Sequence, residues 1–494
     1  MLSILNSKES KDLDLYTIKN NITSKNKLID NAGKSVAYHI IENIKDPFNK
    51  SFLCIAGTGD NGLDAIVCNF YLNKNNVDST LMIIDSTQID GSYLEGHSFV
   101  TPSNNIKLST FNYIVDGVFG AGLNRNIKGD YYSIVSAMNK HGNIISIDIP
   151  SGIYADSGNR SNISINSRHT VTFGYPKIGH YISKGYKSRG HLYIYPIGHP
   201  LQKNKYKVGL IEKKDISNLL KPLSLESDKY GKGKILSLAG SINYTGAALL
   251  SSLAAMRAGA GILKNIYPYS LKDIFSQFKE IIDYPLPDKN GFLTENHFKE
   301  IKSLYKWPDC FIIGPGLSSK QESTNLVKKV LSTYKGKSII DATALSAINF
   351  NEDKFTKIPK KSILTPHYNE LSKMLQISRE ELNEDTMNIL SHISIYLEGR
   401  ILILKGSNII IVNGDNEKYI IEEGTSLLAT AGTGDILTGI IASYVANGYK
   451  LIDASIIGSY IHSFISSSCF KKRTENIIAS DLINQIPIAQ SSLR

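Results

Sequence analysis

Short apolar, β-branched runs alternate with longer stretches of helical period along almost the whole chain, and most of the runs end at a glycine or an acidic residue. That pattern builds parallel sheets covered by helices on both faces, and such sheets take ligands at the carboxyl ends of their strands. In the first half the predicted strands are 51–57, 81–85, 113–120, 144–150 and 169–174. In the second half they are 234–240, 310–316, 337–345, 361–366 and 400–406. The predicted class is α/β. A chain of 494 residues exceeds a single core, which stops growing near roughly 250–300 residues. The polar, lysine-rich stretch 199–234, with Pro200 and Pro222, divides it into predicted domains at 1–210 and 211–494.

The 55 basic and 45 acidic residues give a net charge of +10, which suits an anionic ligand. Lysine is spread along the chain rather than gathered into a stripe, so no nucleic-acid partner is expected. The four cysteines, Cys54, Cys68, Cys310 and Cys469, lack CxxC spacing and read as reduced core residues. The opening MLSILNSKESKD has no apolar core with a cleavage site, and no apolar run reaches the roughly 18 residues of a membrane span. A cytoplasmic location with no membrane partner is expected.

After the first strand comes Gly57-Thr58-Gly59-Asp60-Asn61-Gly62-Leu63-Asp64, leading into a helical segment. Glycines allow a tight turn and close backbone approach, and free amides at a helix start attract anions. Gly57, Gly59 and Gly62 also fit GxGxxG, with Asp85 placed for a ribose hydroxyl, so a nicotinamide-dependent dehydrogenase stays open at this point. Asp60 and Asp64 flank the expected diphosphate and would repel it without a cation. Asp116 and Asp148 end two further strands, with Ser151 close by, and such oxygens suit a cation site or proton transfer.

DNGLD, DGVFGAGLNRNIKG and SIDIPSGIYADSG together resemble the epimerase domain of the NAD(P)H-hydrate repair enzymes, over about residues 15–200. The resemblance implies a Rossmann-like three-layer domain. It implies a potassium ion at Asn61, Asp116 and Ser151. It implies hydrate binding by Asp60, Asn61, Gly62, Leu63 and Asp64, by Gly120, Ala121, Gly122, Leu123, Asn124, Arg125 and Asn126, and by Asp148, which would transfer the proton. Three positions depart from the family: Asp60 replaces Asn, and Leu63 and Ala65 replace Gly. Leu63 is expected to meet a glycine-only backbone conformation at a cost and to narrow the pocket.

In the second half, ATAGTGDILTG places Gly432 and Gly434 at the start of a long apolar helix, where their amides would form an anion hole. Asp435 would stand there as a base, though an acid is also a common helix cap. With YGKGKILSLAGS, YTGAALL, RAGAG, GPGL, LTPHYNEL and LKG in order, the segment resembles the ribokinase-like NAD(P)H-hydrate dehydratases over roughly residues 225–490. The resemblance implies that Ala247, Gly316, His367 and Asp435 contact the hydrate, Asp435 as catalytic base. It implies that Lys405, Gly406, Ser407, Asn408, Ile409 and Gly434 contact ADP or ATP, with magnesium accompanying the nucleotide. Thr343 stands where the family favours Asp, and Ile409 where Thr is usual.

Together the resemblances imply a bifunctional enzyme. One domain would interconvert the R and S epimers of NADHX and NADPHX, and the other would dehydrate the S form at the expense of ADP or ATP. A homo-oligomer is the expected state. A small-molecule kinase carrying an N-terminal dinucleotide sensor is the alternative.

Overall fold

The computed structural model describes every residue except 103–105, 201–205, 223–225, 227 and 473–475, so parts of the predicted linker lie outside the described residues. The chain divides into two compact units, Ser3–Val208 and Gly209–Arg494, the second also taking in Met1–Leu2.

The first unit is a seven-stranded, wholly parallel sheet between helices. Its order is Phe99–Val100, Ser79–Ile83, Phe52–Ala56, Tyr113–Gly117, Ile144–Ile147, His169–Phe173 and His191–Tyr195. Chain order reverses between Phe52–Ala56 and Tyr113–Gly117, registered Phe52 to Tyr113 through Ala56 to Gly117, and a crevice opens beyond such a switch point. Helix Lys25–Asn43 is capped by the Ser24 hydroxyl, which accepts from the Lys27 amide at 3.2 Å. Leu28, Ala32, Val36 and Ile40 recur every four residues and go into the core with helix Asp60–Lys74. The other face buries Leu53, Ile55, Ile114 and Ile144 under helix Gly129–His141, which contributes Val135 and Met138. Each such aliphatic side chain contributes about 1.5–3 kcal/mol on full burial.

The second unit centres on the strand order Lys418–Ile421, Ile409–Val412, Ile401–Leu404, Ser362–Leu364, Ser338–Ile340, Cys310–Ile313, Lys234–Leu238, Ile262–Pro268 and Ile282–Leu286. It is parallel from Ile401–Leu404 to Ile282–Leu286, while Ile409–Val412 and Lys418–Ile421 run antiparallel to their neighbours. Helix Thr433–Ala446 is buried on nearly every side because it is central: Ile436, Leu437, Ile440 and Val445 join one large core with the strands and with helices Leu451–Lys471 and Ala479–Leu493. No helix among the described residues is long and apolar enough to cross a membrane.

All ten predicted strands are present, most of them shorter than predicted. Ile144–Ile147 stops because Asp148 turns into the left-handed region at φ 61°, and Ser338–Ile340 stops before Ala342 at φ 49°. Ile409–Val412 and Lys418–Ile421 form a hairpin that is not among the predicted strands, Ile409 being expected only as a nucleotide contact. Short apolar runs on either side of NGDNE were the available signal.

Candidate active sites

In the first unit, helix Asp60–Lys74 starts tight against the strand end. A Cβ on Gly62 would lie 1.9 Å from the Gly57 carbonyl oxygen, so no larger residue fits this approach. That turn delivers Asn61, whose amide donates to the Phe119 carbonyl at 3.0 Å and the Ile147 carbonyl at 3.2 Å. Asn61 thereby ties three strand ends together. Asp116 is fully buried, and its carboxylate accepts from the Ser151 hydroxyl at 2.6 Å, the Ser151 amide at 2.9 Å and the Ser146 hydroxyl at 2.8 Å. These partners are neutral, and burial still pushes the Asp116 carboxyl up. Asn61, Asp116 and Ser151 thus share one small neighbourhood around residues 117–120, where Gly120 lies against the Asn61 carboxamide.

Asp148 faces a different partner. Its carboxylate accepts from Lys177 Nζ at 2.5 Å and from the Thr172 hydroxyl at 2.8 Å. Burial alone would raise its pKa, but the Lys177 charge prevails and holds it below the usual carboxylate range. The backbone of Asp148 is pinned as well. His180 Nδ1 accepts from the Lys177 amide at 3.0 Å, so the imidazole proton sits on Nε2, which donates to the Asp148 carbonyl at 2.9 Å. Burial pushes the His180 imidazole down to about 3, keeping it neutral. Asp64 is the opposite case: burial first, then the Asp148 and Asp60 charges, pushes its carboxyl well up.

The remaining first-unit positions are spread more widely. Asp60 is exposed and pairs with Lys25 at 2.8 Å. Leu63 lies in regular helix without a positive φ and packs on the core beside helix Lys25–Asn43. The expected strain and pocket narrowing at Leu63 therefore do not arise, because the helix starts at Asp60 and directs this side chain inward. Ala121 packs on Ile149, Ile153 and Ala155, and Leu123 packs in the core under helix Gly129–His141. Gly122, Asn124, Arg125 and Asn126 are exposed, with the Asn126 side chain accepting from the Asn162 amide at 3.3 Å.

In the second unit, Gly432 caps helix Thr433–Ala446 at φ 90°, and Gly434 and Asp435 follow in its first turn. Lys405 Nζ lies 3.4 Å from where a Gly434 Cβ would stand. It donates to the buried Asp341 carboxylate at 2.9 Å and lies 4.0 Å from Glu370. Asp341 also accepts from the Thr438 hydroxyl at 2.7 Å. Although burial opposes it, the Lys405 charge keeps Asp341 low. Among the described residues nothing bonds the Asp435 carboxylate in this way, and burial, reinforced by the Asp341 charge, pushes it up to about 7. That is the working range of a general base at neutral pH.

His367 caps helix Tyr368–Leu375: its Nδ1 accepts from the Glu370 amide at 3.2 Å while Glu370 accepts from the His367 amide at 2.8 Å. A backbone bond from Lys405 to the Pro366 carbonyl at 2.9 Å sets this cap beside Lys405. A Gly316 Cβ would lie 3.0 Å from the Ala247 Cβ, so these two predicted positions face each other. Gly406 and Ser407 are exposed in a turn, whereas Asn408 and Ile409 are buried. Thr343 donates to the Leu317 carbonyl at 2.9 Å and so braces the GPGL loop.

Lys177, Thr172, His180, Asp341 and Thr438 were missed by the sequence reading. A lysine inside the apolar run GYPKIGH and an acid directly after KSII were the signals available.

Residues 235–488 match the NAD(P)H-hydrate dehydratase family, and residues 25–179 match the YjeF-related protein N-terminus. A bifunctional NAD(P)H-hydrate repair enzyme of Dictyoglomus turgidum is 31% identical, covering 94% of this chain and 93% of its own. The enzyme of the same name from Escherichia coli is 25% identical over 89% of this chain and 85% of its own. A ribokinase-like superfamily protein of Enterococcus faecalis shares the fold of the second unit at TM-score 0.51 and 22% identity, covering 60% of this chain and 99% of that one. The ADP/ATP-dependent NAD(P)H-hydrate dehydratase of Bacillus subtilis, co-crystallised with ATP and magnesium, matches at TM-score 0.50 and 26% identity over 57% of this chain and 98% of its own. The chain belongs to the family of bifunctional NAD(P)H-hydrate repair enzymes.

Proposed function

We propose that the chain repairs hydrated nicotinamide nucleotides in two steps, epimerising R and S NADHX or NADPHX in the first unit and dehydrating the S form with ADP or ATP in the second. The observation that carries the reading is Asp435, poised near neutral pKa at a glycine-capped helix start beside Lys405.

In the second unit Asp435 takes the proton of the hydrate hydroxyl as the phosphoryl group reaches that oxygen. Loss of phosphate together with a proton from the neighbouring ring carbon then restores the dihydronicotinamide. Converting hydroxide into phosphate supplies a better leaving group. The Gly432–Asp435 amides face the charge that develops on the transferring group, and Lys405 holds a nucleotide phosphate while Asp341 keeps it oriented. Ala247, Gly316 and His367 border the hydrate, and Lys405 to Ile409 border the nucleotide. Magnesium would come with the nucleotide and would supply charge neutralisation at the phosphates, and the carboxylate of Glu370, 4.0 Å from Lys405, would be a suitable oxygen donor.

In the first unit Asp148 and Lys177 form the proton-handling pair at the hydrated carbon, with the start of helix Asp60–Lys74 and the 120–126 loop bordering the ligand. Asn61, Asp116 and Ser151 offer a carboxamide, a carboxylate and a hydroxyl, and the buried Asp116 charge has only neutral partners. That donor set fits a monovalent cation such as potassium, which supplies compensating charge when bound.

Incubation with NADHX and either ADP or ATP, followed by the absorbance of restored dihydronicotinamide, tests the dehydratase reading, and absence of recovery overturns it. Supplying the isolated R epimer tests the epimerase reading: if R is consumed no faster than it epimerises unaided, the first unit lacks that activity.

A further inference from the structure

The strands of the first unit leave a second concavity at their amino ends, of about 330 Å³, lined among others by Asn43, Lys45, Tyr113, Arg168, His169 and His191. Tyr113, His169 and His191 each begin a parallel strand, whereas the Gly57 loop and Asp148 follow strand carboxyl ends. The concavity is therefore on the opposite edge of the sheet from the site described above. No carboxylate is among the described residues that line it.

The polarity of this wall is fixed from behind. His39 on helix Lys25–Asn43 is fully buried. Its Nδ1 accepts from the Asn43 side-chain amide at 3.3 Å and lies 3.1 Å from the Tyr195 hydroxyl, so the ring proton sits on Nε2. His39 Nε2 is 2.9 Å from His169 Nδ1, and it donates there. A neutral His169 that accepts on Nδ1 carries its own proton on Nε2, on the ring edge turned away from His39. Burial holds His39 down at about 4, and burial together with the neighbouring His191 and Arg168 lowers His169 as well, so both rings are neutral at pH 7. Arg168 spends Nη1 on the Asn143 side-chain oxygen at 2.7 Å and retains its other guanidinium donors. The wall thus combines two permanent cations with a histidine locked as a donor, and its complement is an acceptor-only oxyanion.

We propose that this concavity is a second ligand site, which binds a phosphate group through Arg168, Lys45 and the Nε2–H of His169. The volume holds inorganic phosphate or the phosphate end of a mononucleotide. The site does not depend on the chemistry assigned to the two ligand loops.

The test uses the full chain labelled with ¹⁵N-histidine, with the His169 and His39 resonances assigned through His169→Gln and His39→Gln. Inorganic phosphate and AMP are titrated separately, against sodium chloride at matched ionic strength. A saturable shift of His169 by phosphate or AMP, absent with chloride, is expected, and Arg168→Gln weakens the midpoint about tenfold or more. The exposed Lys45→Gln variant gives the same weakening and stands in if Arg168→Gln fails to fold. Tighter binding of AMP than of phosphate assigns the site to a nucleotide phosphate, and the reverse order assigns it to the free ion. No saturable shift of His169 with either probe, or an undiminished midpoint in the folded variants, overturns the proposal.

Discussion

The Lys405 ammonium lies 2.9 Å from the Asp341 carboxylate, and both charges act on a third group, the buried Asp435. Lys405 pulls the Asp435 pKa down while burial and the Asp341 charge push it up, leaving it at about 7. An acid acts as a base only when ionised. Dehydration, measured as kcat/KM, is therefore expected to rise with pH through about 7 on its acidic limb. Asp435→Asn removes the base, so dehydration is lost while epimerisation of the R form continues. Dehydration retained at wild-type rate in that variant would rule out the assigned role.

Asp341→Asn removes one charge that raises Asp435, so the acidic limb moves to lower pH. It also removes the nearer of the two carboxylates beside the mostly buried Lys405, a loss of up to about 3–5 kcal/mol for a broken buried pair. Urea unfolding and a pH–rate profile on the same preparation read both effects. A limb that stays in place or moves upward would show that Asp341 does not set the potential at Asp435.

Lys177→Met leaves Asp148 buried beside a neutral side chain, and its pKa rises because burial then loses the main charge that opposes it. Epimerisation falls by about 10²–10⁴-fold, the usual contribution of a positioned proton-transfer group. Dehydration of supplied S epimer stays at the wild-type rate. Equal loss of both activities would instead indicate general damage to the fold.

Gly314→Ala places a methyl 1.8 Å from the Asp341 carbonyl oxygen at a backbone φ of 128°. Strain and overpacking together cost about 2–5 kcal/mol. Gly122→Ala has open space and no positive φ, and its effect stays within about 0.5 kcal/mol. Urea midpoints of the two variants compare them directly, and similar midpoints would count against the close approach at Gly314.

The strands and glycine turns were legible because their signals are local. Apolar β-branched runs, Gly57 to Gly62 and Gly432 to Asp435 announce themselves within a few residues. Lys177 and Asp341 were not legible, since each matters through a partner 29 or 64 positions away, and an isolated lysine or aspartate looks the same in a turn. Leu63 shows the converse error. Its departure from glycine looked costly, yet the position is ordinary helix, and only the backbone angles reveal this. Thr343 differs again: the hydroxyl found there acquires a structural bond to Leu317 that no motif comparison supplies.

Asp148 adopts a left-handed backbone at φ 61°, which costs a residue with a side chain roughly 1–3 kcal/mol. Glycine would relax that turn but leave the buried Lys177 ammonium without its counter-charge, a loss of about 3–5 kcal/mol that exceeds the relief. A duplicated gene released from selection on activity would therefore still be expected to keep an acid there, because the fold needs the counter-charge.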